Sequence, residues 1–148
     1  MSIRFGADGL ERFVVAQALC YGAALDELRA GRKTRHWMWF VFPQLVQLGR
    51  SETARLYGLS DVEEARAYAA HPVLGLRLKA CAEAVLATSG RTAHQIFGSP
   101  DDLKLCSSMT LFERAWPEST VFAAVLDRFH EGRRDPMTLQ LLDGPARG

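Results

Sequence analysis

Between Lys33 and Gln44 the chain reads Lys-Thr-Arg-His-Trp-Met-Trp-Phe-Val-Phe-Pro-Gln: a cationic or titratable lead, six large apolar side chains, then Pro-Gln. A surface helix shows an apolar stripe against a polar face. Residues 37–42 are apolar on every side, so they are expected to be the central buried element. Aromatic and β-branched residues favour sheets, but a strand needs a partner and no other segment reads as one. The context therefore predicts a short helix, capped by Thr34 and running to about Val41, with Pro43 ending it because the residue before proline is pushed out of the α region. In that helix His36, Trp39 and Phe40 would share one face.

The flanking segments are helical in pattern. Leu10, Phe13, Val14, Gln17, Tyr21, Ala24, Leu25 and Leu28 recur at helical spacing, predicting a long helix over about 9–29, with Gly31 as its cap. Ser51 can cap a short helix over 52–57. Ser60 with Glu63 reads as a capping box for a helix to Ala70, and Pro72 as the first residue of one to Thr88. Thr92 with Gln95 reads as a second capping box. Ser99-Pro100-Asp101-Asp102 is a further start, for a helix ended at Trp116-Pro117. Helices over 118–130 and 137–142 complete the pattern. The expectation is an all-α fold: an irregular bundle or short array of about five main helices plus several single-turn helices, with short connections. Residues 1–148 are expected to form a single helical domain, with 1–6 a loose arm and 143–148 a loose tail.

Composition supports a globular chain and excludes several classes. At 148 residues and 48% hydrophobic, it can bury a core without disulfides or metal. The formal net charge of +1, from 18 Lys+Arg and 17 Asp+Glu, argues against nucleic acid as a partner. Cys20, Cys81 and Cys106 are widely spaced, an odd count without a CxxC, and read as small buried hydrophobes. No apolar run approaches the roughly 20 residues of a membrane span, and no apolar segment follows Met1-Ser2-Ile3-Arg4, so the bacterial-type cytoplasm is the expected location and no membrane partner is expected. His36, His71, His94 and His130 form no HxxxH pair, and neither a Gly-rich phosphate loop nor a G-x-S-x-G elbow occurs. No metal and no cofactor is expected. His71 reads as a helix-boundary residue, and His94 and His130 as exposed.

Two stretches carry more polarity than a core needs. The first, Lys33, Arg35 and His36 with Trp37, Trp39 and Gln44, could wall a pocket: cations for an anion, aromatic faces for a planar group, an amide for a polar edge. A buried indole N–H needs a partner, and Trp supports cation–π contact. The second runs from Ser99 to Thr110. Lys104, Ser107 and Ser108 share a helical face there, and Ser and Thr are mediocre helix formers, so their density suggests a packed contact or a ligand. Burying such groups unpaired costs roughly 1–3 kcal/mol apiece. The two stretches are therefore expected to face each other across one pocket, with His36, Trp39 and Gln44 opposite Asp102, Lys104, Ser107 and Ser108, and with Lys33 or Arg35 at the mouth. Thr110 is counted among the ligand-binding candidates.

The runs from Gly31 to Gln44, His71-Pro72-Val73-Leu74-Gly75, Phe97 to Lys104 and Ser107-Ser108-Met109-Thr110-Leu111-Phe112 resemble a bacterial family, the domain-of-unknown-function family 1810, some of whose members carry the label calpastatin. The resemblance covers nearly the whole chain and implies a small, mostly helical, stand-alone cytosolic protein. It carries no catalytic residue over. The hydrophobic fraction also speaks against a disordered inhibitor.

Two functions follow as expectations. The first is binding or hydrolysis of an anionic, phosphate-bearing small molecule such as a nucleotide or an ADP-ribose derivative. In a catalytic version His36 is the acid or base, because imidazole changes charge near neutral pH, with Asp102 its carboxylate partner and Lys104 an electrostatic stabiliser. The alternative is a helical interaction module that docks an acidic protein partner through the basic segment 29–35.

Overall fold

The structure is a computed structural model that describes residues 7–144; the expected loose arm over 1–6 and residues 145–148 of the expected tail lie outside them. The described chain is all-α. Its helices are α1 (Ala7–Ala30), α2 (Met38–Val41), α3 (Glu52–Leu56), α4 (Val62–Ala70), α5 (Leu74–Ala87), α6 (Ala93–Phe97), α7 (Asp101–Ala115), α8 (Val121–Phe129) and α9 (Pro136–Asp143), with a 3-10 turn at Val46–Leu48. Asp143, assigned to the tail from sequence, instead closes α9. No described helix is long and apolar enough to cross a membrane.

The caps are written in the local sequence. At the end of α1, Gly31 at φ 77° sends its N–H to Leu28 O, and the Arg32 N–H returns to Glu27 O, a Schellman closure. Thr92 and Gln95 form the expected reciprocal capping box of α6. The α4 cap is one residue later than expected and is not a reciprocal box. Asp61 takes the Glu64 N–H, and Glu64 takes the Ser60 N–H at 2.8 Å. Pro72 is not the first residue of α5; instead the His71 ring Nδ1 accepts the N–H groups of Val73 and Leu74, and the helix starts at Leu74. Pro100, not Ser99, precedes α7 as its cap residue.

The largest departure is in the aromatic stretch. Only Met38–Val41 is helical, and Thr34 caps nothing. The Thr34 and Arg35 N–H groups donate to Glu27 Oε1 at 2.9 and 3.0 Å. With its amides committed to a carboxylate on α1, the segment 33–37 stays irregular, and the shared face of His36, Trp39 and Phe40 does not form.

Helix α7 is the hub: it packs on α4, α6, α8 and α9, while α5 joins α1, α4 and α8. Trp37, Phe42, Phe13, Tyr68, Phe112 and Phe122 are fully buried in one cluster, whereas Trp39 and Phe40 are half-buried at its edge. Gln17 is also buried; its amide donates to Phe40 O and to the Tyr68 hydroxyl, tying α1 to the end of the aromatic stretch. After Pro43 the chain is held flat by one parallel bridge, Leu45 with Leu59. The bridge lies so close to Gly58 that a Cβ there would sit 2.4 Å from the Val46 Cα. This pinned segment forms one wall of the cleft described next.

Candidate functional site

The basic lead into the aromatic stretch is consumed by structure. Glu27, buried on α1, accepts the Trp37 indole N–H at 2.8 Å and the Arg35 guanidinium at 2.7 Å, besides the two backbone N–H groups. Burial alone would raise this carboxyl, but those four donors outweigh it and hold it at about 2. Lys33 is nearly buried; its ammonium binds Asp101 at 2.8 Å and Arg35 O at 2.7 Å and lies over the Trp37 ring, pinning the start of α7 to the loop. His36 is exposed and has no hydrogen bond among the described residues.

The cleft lies beyond this knot. About 930 Å³ of space opens between the segment 44–54, the first half of α7 and the α8–α9 connection. That volume is in the upper part of the range of small-molecule sites. Gln44, Arg50 and Ser51 come from the first wall, Lys104, Cys106 and Ser107 from the second, and His130, Arg133 and Arg134 from the third. Leu103 and Met137, both exposed for large apolar side chains, stand at its edge.

The cations differ in how far they are already engaged. Arg134 is held by both oxygens of Glu113 and by Asp127, which raise its pKa above the usual guanidinium value. Arg133 pairs with Glu131 at 2.8 Å, both side chains largely in solvent, where such a pair contributes little. Lys104 is 3.7 Å from Asp101 and lies over the Trp39 ring. Arg50 has no ion pair among the described residues. His130 ends α8 half-buried. Burial lowers its pKa against the opposing pull of Asp102, and its Nε2 is screened from water without a hydrogen-bond partner.

Against the expected pocket, the structure brings together Trp39, Gln44, Lys104 and Ser107. Gln44, Lys104 and Ser107 line the cleft, and Trp39 lines a slot of about 10 Å³ that shares Gln44, Ala54 and Lys104 with it. The other candidates go elsewhere. Asp102 Oδ2 is 3.3 Å from His94 Nδ1, not on His36, because the irregular segment 33–37 turns His36 outward. Arg35 and Lys33 are spent on Glu27 and Asp101, and Trp37 is core. Ser108 is fully buried with its hydroxyl unpaired among the described residues. Thr110 is structural: its hydroxyl donates to Cys106 O and accepts the Asp135 N–H, setting the start of α9. Ser107 donates to Leu103 O from the cleft wall.

Sequence reasoning missed Arg50, Cys106, His130 and Arg133. His130, expected to be exposed, is half-buried. The local sequence, His130 at the end of a helix before Gly132-Arg133-Arg134, gave no signal for it. The Cys106 thiol, raised by burial, donates to Arg133 O at 3.6 Å. No group of three or more His, Cys, Asp or Glu able to hold a metal occurs among the described residues.

Comparison with known proteins agrees with the fold. The chain matches a solved structure, that of the conserved hypothetical protein Rv1873 from Mycobacterium tuberculosis at 1.38 Å, with 53% sequence identity and a TM-score of 0.90, over 92% of this chain and 97% of that one. No curated protein matches. The family model described as a protein of unknown function, DUF1810, matches residues 7–142. The helical body and the cleft between its α7 and α8–α9 walls therefore fall within the matched region, and the chain belongs to the DUF1810 family.

Proposed function

We propose that the cleft binds a small anionic, phosphate-bearing molecule of nucleotide or ADP-ribose type. In this reading the protein is a single helical domain working in the bacterial cytoplasm. The observation that carries the reading is the meeting of Arg50, Lys104 and Arg133 from three separate segments around one cavity of ligand size, with Gln44 and Ser107 as polar edges. Guanidinium groups present paired donors that match phosphate geometry, and Lys adds a point charge. Leu103 and Met137 supply apolar cover for the remainder of the ligand.

Binding is better supported than hydrolysis. The acid–base set of His36, Asp102 and Lys104 is not assembled, since Asp102 faces His94 and His36 lies outside the cleft. The adaptor alternative is weakened by the same geometry, because Lys33 and Arg35 in its basic segment are engaged by Asp101 and Glu27.

The test is a thermal-shift and calorimetry panel of inorganic phosphates, nucleotides, ADP-ribose and sugar phosphates. A ligand at about 100 times its dissociation constant adds about 2.7 kcal/mol of stability. Arg50→Glu with Arg133→Glu should abolish the response while leaving unfolding in buffer unchanged. Absence of any shift across the panel would overturn the reading.

A further inference from the structure

We propose that the slot beside the cleft is the seat of one oxyanion oxygen of the bound ligand, received by the Trp39 indole N–H with Lys104 supplying the charge. The proposal rests on the anion reading of the cleft. Its own observation is the contrast between two indoles of the same stretch. The Trp37 N–H is held by Glu27 at 2.8 Å. The Trp39 N–H is screened from solvent and has no partner among the described residues. Buried indole N–H groups are normally bonded, so the Trp39 donor needs an acceptor from outside the protein.

The slot states what can deliver one. At about 10 Å³ it admits a single water-sized atom and no base or sugar. Met38, Phe42, Ala54 and Gly58 make its walls mostly apolar. It shares Gln44, Ala54 and Lys104 with the cleft as lining residues. A ligand in the cleft can therefore extend one protruding oxygen into it, the rest of the molecule remaining in the larger space. Lys104 lies 5.7 Å from the centre of the Trp39 ring and only loosely engages Asp101. Its charge favours an oxyanion over a neutral carbonyl, because hydrogen bonds between an ammonium and a charged oxygen are the stronger ones.

The experiment uses the full chain, nitrogen-15 labelled, with inorganic pyrophosphate as probe. Three indole N–H signals belong to Trp37, Trp39 and Trp116, and through-bond assignment in the wild-type protein makes the reading independent of any variant's folding. Pyrophosphate should move the Trp39 signal downfield and leave that of Trp37 in place. Trp39→Phe, which keeps an aromatic ring and deletes the donor, should weaken pyrophosphate binding about tenfold or more. Binding that depends on Arg50 but leaves the Trp39 signal and the Trp39→Phe affinity unchanged would mean that the slot holds only a structural water, and would sink this proposal while the anion reading stands. Failure of pyrophosphate, ADP and ADP-ribose to bind wild-type protein at all would sink both.

Discussion

The knot around Glu27 and the cleft around Lys104 both gather charged side chains against the aromatic stretch, yet they use them in opposite ways. In the knot every strong donor has an acceptor: one buried carboxylate takes two backbone N–H groups, an indole and a guanidinium, and Lys33 closes on Asp101. In the cleft Arg134 is closed by Glu113 and Asp127 and Arg133 pairs with Glu131, but among the described residues Arg50 is unpaired, Lys104 is loosely paired, and the Trp39 and His130 nitrogens are buried without partners. A cluster whose hydrogen bonds close internally stabilises the fold and has no capacity left for a ligand. A cluster left open costs stability and keeps its capacity to bind. Charge density by itself does not separate the two; satisfaction does.

The sharpest way to break this comparison is to remove the carboxylate. Glu27→Ala leaves the Trp37 N–H and two backbone N–H groups without an acceptor and should cost about 3 kcal/mol or more in urea unfolding. A loss below about 1 kcal/mol would show that water reaches those groups.

Acid should act through the same group. The Glu27 carboxyl, with a pKa near 4.5 when unperturbed, is held at about 2 in the fold. A depressed folded pKa means stability that is fully present above about 4.5 and is lost as pH falls toward 2, because the unfolded chain then binds the proton first. The shift corresponds to roughly 3 kcal/mol. Urea midpoints measured from pH 5 down to low pH should therefore fall more steeply for the wild-type protein than for Glu27→Gln, which has no proton to gain there.

Trp37→Phe is a smaller perturbation. It removes one donor from Glu27 and part of a fully buried ring, and should cost about 1–3 kcal/mol. Trp39→Phe, by contrast, removes an N–H that has no partner among the described residues from a ring that is only half-buried, and should cost less.

The smallest stability effects belong to the cleft. Arg50→Ala and Arg133→Ala should change stability by no more than about 0.5 kcal/mol while weakening pyrophosphate binding. His36→Ala should leave both stability and binding unchanged. If His36→Ala abolished binding instead, the exposed end of the knot would take part in the site, and the division between the two regions would fail.

Two helix ends were legible to the residue because their causes are local. Thr92 with Gln95 and Gly31 after Ala30 each act within a few residues. The Thr34 cap failed for the opposite reason: its amide was taken by Glu27, a residue whose approach depends on how α1 closes. The same holds for the site. Trp39, Gln44, Lys104 and Ser107 stood out by residue type, but Arg50, His130 and Arg133 looked like ordinary surface residues. Nothing in a one-dimensional pattern says that the segment 44–54 and the α8–α9 connection flank the same stretch of α7.

What the chain determined alone was its class: helical periodicity, caps and proline stops act over one or two turns, and together they allow an all-α body with 37–42 against its core. Which polar groups find partners was decided only by the packed structure. A hydrogen bond needs a donor and an acceptor within about 3 Å, and residues far apart in sequence reach that separation only after the helices have packed. Glu27 closes one set of donors, while the Trp39 N–H stays without a partner among the described residues, and that difference makes one polar cluster scaffold and the other a candidate site.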